Sequence, residues 1–172
     1  MCVVVDANTF TYFSNPHSSR HGEFQPVIKW VRDSNSKYVY GGTTYEAQLR
    51  KQQDFLSFLT RMYQAGKTVV IDHQKVDQIE QVIRQTITGP GYNDHHIVAI
   101  VLISRCKVVC SLDSGLKDLI DECYSSDSGR TTIKHQLRIG NLRKPSIYNG
   151  RGSASTLRRR TSSSNCGPCC HT

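Results

Sequence analysis

Hydrophobic residues recur along the chain with two periods, which predict strands alternating with helices. Short β-branched or aromatic runs predict four buried strands, at residues 2–5, 37–40, 67–71 and 107–110. Apolar residues at helical spacing predict helices within residues 24–33, 43–66, 76–87, 94–102 and 116–120. Residues 14–23 are rich in Ser, Asn, Pro, His and Gly, and we expect a loop there. The alternation predicts a three-layer α/β fold with a central, mostly parallel sheet flanked by helices.

The periodic pattern weakens beyond Cys123, which divides the chain into three parts. We predict one domain over residues 1–124, a basic extension over 125–149 and a disordered Ser- and Arg-rich tail over 150–172. Within the extension, residues 131–139 are a candidate edge strand. No apolar run approaches the roughly 20 residues of a membrane span, and the first residues lack secretory-signal features. We therefore expect a soluble, cytoplasmic protein.

The net charge of +8 is confined to the end of the chain. Residues 1–124 hold 13 basic and 13 acidic side chains, whereas residues 125–172 hold 9 basic and 1 acidic. A basic segment on a neutral domain favours a polyanion such as nucleic acid as partner. Arg138, Arg143 and Lys144 are the candidate contacts, and a solvated basic tail without a specific partner is the alternative.

The seven cysteines do not follow the pattern of a disulfide-rich protein. Four of them lie in or beside apolar segments, as reduced core residues do, namely Cys2, Cys106, Cys110 and Cys123. The other three belong to the Cys-Gly-Pro-Cys-Cys-His sequence at residues 166–171, which lacks a second ligand pair to complete a zinc site. We expect a disordered end there rather than a metal centre.

Four carboxylates lie where the predicted elements bring the chain to one edge of the sheet. Asp6 and Asp113 follow the first and the fourth predicted strands. Glu46 lies in the first turn of one helix and Asp94 opens another. Ligands bind at the carboxyl ends of parallel strands, and clustered carboxylates repel unless cations neutralise them. Because Mg²⁺ and Mn²⁺ prefer oxygen ligands, the pattern predicts metal-dependent phosphodiester hydrolysis.

Each acid also has an ordinary structural interpretation. Asp6 and Asp94 would serve as turn or helix caps, and Glu46 would close a capping box with Thr43. Asp118, in the last predicted helix, is a second candidate for the fourth acid. The prediction rests on the joint placement of the four carboxylates, because each residue alone is weak evidence for a metal site.

Four segments within residues 1–122 resemble motifs of the PIN-domain nucleases, at residues 3–8, 44–46, 93–99 and 108–113. The resemblance implies a Mg²⁺- or Mn²⁺-dependent endoribonuclease with a PIN-like fold. Its metal would be held by the four acids, Asp6, Glu46, Asp94 and Asp113. Asn8 and Ser111 would orient the acids or the phosphate by hydrogen bonding. Ser111 stands where Thr is usual, and residues 14–35 carry no family motif.

The same resemblance implies partners. They are an RNA substrate, an antitoxin or other inhibitor protein, and a second copy of the chain, because the family includes dimeric toxins and defence effectors. No membrane partner is implied. His95 and His96 adjoin Asp94 and are candidate acid/base groups, although a place on the helix surface or in the core is the alternative.

Two other functions stay open. A catalytically silent PIN-like module would bind RNA or protein, and the presence of all four acids argues against it. A haloacid-dehalogenase-like phosphatase would use Asp6 as nucleophile, but it needs a second Asp two residues later, where this chain has Asn8. No glycine-rich phosphate loop follows the first strand, which argues against a nucleotide cofactor.

Overall fold

The computed structural model describes residues 1–125 and 144–151, which form a parallel sheet with helices packed against it. The strands are β1 (Cys2–Val5), β2 (Lys37–Gly41), β3 (Thr68–Ile71), β4 (Val108–Cys110) and β5 (Ser146–Tyr148). The helices of the described ranges are α1 (Ala7–Ser14), α2 (His21–Asp33), α3 (Thr43–Leu49), α4 (Phe55–Gln64), α5 (His73–Thr86), α6 (His95–Ser104) and α7 (Ser114–Ser125). The predicted three-layer α/β class is confirmed.

All four pairings of the five-stranded sheet are parallel, and the strand order is β3-β2-β1-β4-β5. Central β1 pairs on one side with β2, through Val3 and Tyr38, and on the other side with β4, through Val3 and Val108. Because parallel strands end at one edge, the residues that follow β1, β2 and β4 lie along the same side of the sheet.

The core is centred on β1 and α6. Residues Val3, Val4 and Val5 are fully buried, as expected for a parallel strand covered on both faces. Helix α6 contacts β1, β2 and β3 and buries nearly every side chain that it carries. Its burial on all sides explains why this segment is continuously apolar instead of showing one apolar stripe.

The region after β1 differs from the sequence prediction, because α1 was not predicted and the loop is shorter than residues 14–23. Helix α1 ends at Ser14 and α2 already begins at His21. Burial of Phe10 and Phe13 stabilises α1, although Asn, Thr and Tyr give it weak helix propensity. An ion pair of 2.7 Å between Arg20 and Glu23 supports the early start of α2.

Strand β5 extends the sheet beyond residue 124. It lies within the predicted basic extension and pairs in parallel with β4, through Val109 and Ile147. The candidate edge strand at residues 131–139, the candidate contacts Arg138 and Arg143 and the cysteine-rich segment at 166–171 lie outside the described residues. None of the helices in the described ranges is long and apolar enough to cross a lipid bilayer.

Candidate active site

Asp6 is fixed where β1 ends and α1 begins. Its backbone N–H donates to the Cys110 carbonyl at 2.9 Å, which continues the pairing of β1 with β4. One carboxyl oxygen, Oδ1, accepts from the Asn8 backbone N–H at 3.1 Å, and Oδ2 accepts from Ser111 Oγ at 2.7 Å. The residue is fully buried, and this burial raises its carboxyl pKa. Asp6 therefore caps α1 and also belongs to the candidate site.

Ser111 connects two of the predicted acids. Besides donating to Asp6, its Oγ accepts a hydrogen bond from the Asp113 backbone N–H at 3.0 Å. Asp113 Oδ1 in turn accepts from the Gly115 backbone N–H at 2.7 Å, at the start of α7. The turn between β4 and α7 is thereby held against the end of β1.

Asp94 occupies the N-cap position of α6, but its side chain makes no capping hydrogen bond. The residue is buried, and its Oδ1 lies 3.9 Å from His96 Nε2. Burial raises the pKa of Asp94 to about 7, with further contributions from the charge of Asp6 and from Asp113. Asp94 is therefore the N-cap residue of α6 as its structural interpretation has it, but its side chain does not cap the helix, and the charges of Asp6 and Asp113 act on its carboxyl group.

Glu46 is engaged in a different set of contacts. Its Oε1 accepts from Arg50 Nε at 3.0 Å, and its Oε2 lies 3.6 Å from His73 Nε2. These contacts join Glu46 to its own helix and to α5. The structure therefore links Asp6 and Asp113 through Ser111, places Asp94 where their charges raise its pKa, and gives the fourth predicted ligand other partners.

The predicted capping box at the start of α3 is wrong. The N-cap residue is Gly42, and the Thr43 N–H and Oγ1 donate to the Asp77 carboxylate at 2.8 and 2.9 Å. Gly42 has a φ of +84°, and a Cβ on it would lie 2.4 Å from Val76 Cγ1. Because α5 supplies the capping carboxylate, Glu46 is not needed to cap α3.

The two histidines after Asp94 are core residues. His96 is fully buried, stacks on Tyr45 with ring centroids 5.9 Å apart, and has no hydrogen-bond partner for either ring nitrogen within the described residues. Burial lowers the His96 pKa to about 4, and it also lowers the pKa of His95. A neutral imidazole packed in this way favours the core interpretation over an acid/base role.

The remaining predicted site residues that the structure describes lie nearer the surface. Asn8 acts on Asp6 through its backbone N–H, and its side chain is exposed. Asp118 has a side chain that is 63% exposed and that lies 4.0 Å from Lys117 Nζ. Lys144 forms an ion pair with Asp121. Within residues 1–125 and 144–151, neither Asp118 nor Lys144 forms a hydrogen bond or an ion pair with Asp6, Asp94 or Asp113.

Three residues that support the site were missed in the sequence. Buried Thr9 accepts a hydrogen bond on Oγ1 from the Leu112 N–H at 3.1 Å, and the Tyr45 hydroxyl donates to the Val5 carbonyl. A Cβ on Gly115 would lie 2.9 Å from the Gly91 carbonyl oxygen. No motif marks Thr9 or Gly115, and Tyr45 lies within the segment 44–46 without being singled out, because each contact joins parts of the chain that are far apart in sequence. Their only signal is closeness in sequence to a predicted acid.

The donor set fits a divalent cation only in part. Carboxylate oxygens are the ligands of Mg²⁺ and Mn²⁺, and a cation would relieve the repulsion among the three acids. Within residues 1–125 and 144–151, however, no group of three or more His, Cys, Asp or Glu side chains is already arranged to hold a metal ion.

Comparison with known proteins does not assign the chain to a family. No protein-family model matches the chain, and no curated protein matches it. The resemblance of four segments to PIN-domain nucleases therefore stays a prediction, and the chemistry of the site has to be inferred from Asp6, Asp94 and Asp113 themselves.

Proposed function

We propose that the protein is a Mg²⁺- or Mn²⁺-dependent endoribonuclease. The observation that supports this best is the link of Asp6 and Asp113 through Ser111 beside a buried Asp94, whose pKa is raised by burial and by the charges of those two acids. Carboxylates held this close in a buried site cost free energy unless a proton or a cation offsets their repulsion. Metal binding releases protons from such ligands, so a carboxyl group with a pKa of about 7 is poised for the exchange near neutral pH.

Asp6, Asp94 and Asp113 would hold the cation, and Glu46 is the fourth ligand that the PIN-like motifs imply. A bound Mg²⁺ or Mn²⁺ would supply the charge that polarises a phosphodiester and lowers the pKa of an attacking water. Ser111 and the Asn8 backbone N–H restrain both oxygens of Asp6. Burial of Asp6 and Asp94 limits competing water, which strengthens their electrostatic interactions.

A catalytically silent RNA- or protein-binding module is the second candidate. The observation that favours it is the lack, in the described ranges, of a preformed group of three metal-binding side chains. A divalent cation distinguishes the two candidates. The nuclease needs the cation for cleavage, whereas a silent module binds RNA or protein without it.

The cytoplasm is the compartment that we propose for this activity. Four cysteines in the described part of the chain, Cys2, Cys106, Cys110 and Cys123, are buried free thiols. Free thiols are usual in reducing compartments. The PIN-like motifs are the only basis for three further parts of the proposal. These are a toxin or defence role, an antitoxin partner and a homodimer.

Cleavage of a panel of single-stranded and structured RNAs tests the proposal. The full chain is compared with Asp6→Asn and Asp94→Asn in Mg²⁺, in Mn²⁺ and in EDTA. The matched control is Asp118→Asn, which removes an exposed carboxylate of α7. We expect metal-dependent cleavage that falls about 100-fold or more in the two site variants and is unchanged in the control. A folded chain that cuts neither RNA nor single-stranded DNA with either metal would replace this proposal with the binding module.

A further inference from the structure

A pocket of about 430 Å³ lies between α1, α2 and α4, and most of its wall is apolar. It is lined by Phe13 of α1, by Ile28 and Val31 of α2, and by Phe58 and Met62 of α4. All five side chains belong to the hydrophobic core or pack against it. Sites for small molecules have volumes of roughly 300–1,000 Å³ and walls of this kind. The pocket therefore suits a small molecule with an apolar body.

Three cationic side chains, Arg32, Arg61 and Lys67, also line the pocket, whereas no Asp or Glu of the described ranges does. Arg32 pairs with Asp33 at 2.7 Å, and the Lys67 ammonium donates one of its three N–H groups to the Ser34 carbonyl. The Arg61 guanidinium forms no hydrogen bond or ion pair within residues 1–125 and 144–151. Because Arg32 and Arg61 are exposed, positive charge lies where the pocket meets solvent.

Ser14, the last residue of α1, adds a hydroxyl without a partner to the wall. The residue is 6% exposed, and its Oγ makes no hydrogen bond within the part of the chain that the structure describes. His21 lines the pocket as well, but both of its ring nitrogens are engaged, with the Tyr12 carbonyl and with Gln25. A buried hydroxyl without a partner costs free energy, and a ligand oxygen would supply that partner.

The pocket is separate from the candidate metal site. Helix α1 begins directly after Asp6 and ends at Ser14, so its 8 residues place about 12 Å between the acid and the pocket. Neither Asp94 nor Asp113 lines the pocket. A ligand bound there therefore belongs to a second site, whose existence does not depend on the proposed ribonuclease function.

Charge and lining together select the ligand. The cationic side chains disfavour a cation, and they also disfavour the remainder of the chain, because residues 126–143 and 152–172 hold 7 basic and 1 acidic side chains. A small, strongly hydrated anion would gain nothing from the apolar wall. We propose that the pocket binds a carboxylic acid with an unbranched hydrocarbon body, in the class of the medium-chain fatty acids. Its carboxylate lies near Arg61 and Lys67, and its hydrocarbon packs against Phe13, Phe58 and Met62.

Calorimetric titration of the full chain with decanoate tests the proposal. The buffer contains EDTA, which prevents metal soaps and keeps the carboxylate cluster free of metal. Acetate has the same head group without the hydrocarbon, and decyltrimethylammonium has the same hydrocarbon with the opposite charge. Arg61→Gln and Arg61→Glu remove and reverse one charge of the pocket. The matched control is Lys29→Gln, which removes an exposed charge of α2 that does not line the pocket.

We expect decanoate to bind in a 1:1 ratio, and neither acetate nor decyltrimethylammonium to bind at about 1 mM. Arg61→Gln should weaken decanoate binding about 3-fold and Arg61→Glu about 10-fold, as for loss and reversal of an exposed charge. Lys29→Gln should match the parent. Because the Arg61 side chain is exposed, both Arg61 variants should melt close to the parent. Amide chemical-shift changes on decanoate addition should centre on Phe13, Ser14 and Met62.

The proposal is wrong if decanoate shows no saturable binding up to about 1 mM, if decyltrimethylammonium binds equally well, or if Arg61→Glu keeps the parental affinity. Two other occupants would also overturn it. A dimer in sedimentation that Arg61→Glu dissociates would assign the pocket to a second copy of the chain. Nuclear Overhauser contacts from Met62 to residues 126–143 or 152–172 would assign it to the chain itself. RNA cleavage, measured separately in Mg²⁺, decides the ribonuclease proposal whichever of these results is found.

Discussion

Ser111 Oγ donates a hydrogen bond to Asp6 Oδ2 at 2.7 Å across a separation of 105 residues in the sequence. The same oxygen accepts from the Asp113 N–H at 3.0 Å. One hydroxyl therefore sets the orientation of a buried carboxylate at the end of β1 and the path of the chain after β4. Because the hydroxyl both donates and accepts, Ala at this position can make neither contact.

Replacing Ser111 with Ala should weaken both folding and activity. The substitution leaves a buried Asp6 oxygen without its donor, which costs about 1–3 kcal/mol of unfolding free energy. Ser111→Thr keeps the hydroxyl and should restore most of the loss. Urea denaturation gives the stability, and the RNA cleavage rate gives the activity. Equal stability of Ser111→Ala and the parent would mean that water replaces the hydroxyl.

Those features of the fold that depend on local patterns were predictable from the sequence. The runs at residues 2–5 and 107–110 are apolar because parallel strands are covered on both faces, and they coincide with β1 and β4 within one residue. Helix α1 was missed because its stability comes from burial of Phe10 and Phe13 in tertiary contacts, which weak helix propensity hides.

The site was predictable to the extent that topology alone determines it. Asp6 and Asp113 follow adjacent parallel strands, so their convergence with Asp94 could be inferred from the strand assignments. The partners of Glu46 could not be inferred, because Arg50 and His73 depend on how α3 and α5 pack. The hydrogen bond that Thr9 accepts from the Leu112 N–H could not be inferred either, because the two residues are 103 positions apart in the sequence.

His96→Leu should leave RNA cleavage unchanged. The imidazole is fully buried, and neither ring nitrogen makes a hydrogen bond in the described part of the chain, although Nε2 lies 3.9 Å from Asp94 Oδ1. Burial lowers the His96 pKa to about 4, so the ring is neutral and does not form an ion pair with Asp94 near neutral pH. Leu removes these unpaired nitrogens at similar volume, so we expect the unfolding free energy to stay within about 1 kcal/mol or to rise. The measurements are thermal denaturation and a pH profile of cleavage. A loss of activity above 10-fold in a folded variant would restore His96 as an acid/base candidate.

Glu46→Gln should weaken metal binding less than Asp94→Asn does. Glu46 pairs with Arg50 and His73, whereas the pKa of buried Asp94 is raised further by the charges of Asp6 and Asp113. Removing the charge of Glu46 therefore leaves the repulsion among Asp6, Asp94 and Asp113 unchanged. Calorimetric titration of Mn²⁺ into both variants gives the affinities, with Asp118→Asn as the control. If Glu46→Gln loses as much affinity as Asp94→Asn, Glu46 is a full ligand that must turn away from Arg50 to bind.

Stability without metal should fall as the pH rises through the range in which Asp94 titrates. Burial, with the charge of Asp6 and the contact to Asp113, raises the Asp94 pKa from 3.8 to about 7. Between these values the folded state binds more protons than the unfolded chain, so the unfolding free energy decreases with pH. Below pH 4 both states are protonated, and above pH 8 the whole penalty is present.

Asp94→Asn removes this penalty, because its amide does not ionise. In EDTA at pH 8 the variant should melt roughly 3–6 °C above the parent, which corresponds to about 1–2 kcal/mol after solvent screening. At pH 4 the two proteins should melt at nearly the same temperature. Mg²⁺ should stabilise the parent at pH 8 and have little effect on the variant, since a ligand stabilises only the state that binds it. Parallel melting curves of the two proteins from pH 4 to pH 8 would mean that Asp94 is ionised throughout. The repulsion that makes the cluster a candidate metal site would then be absent.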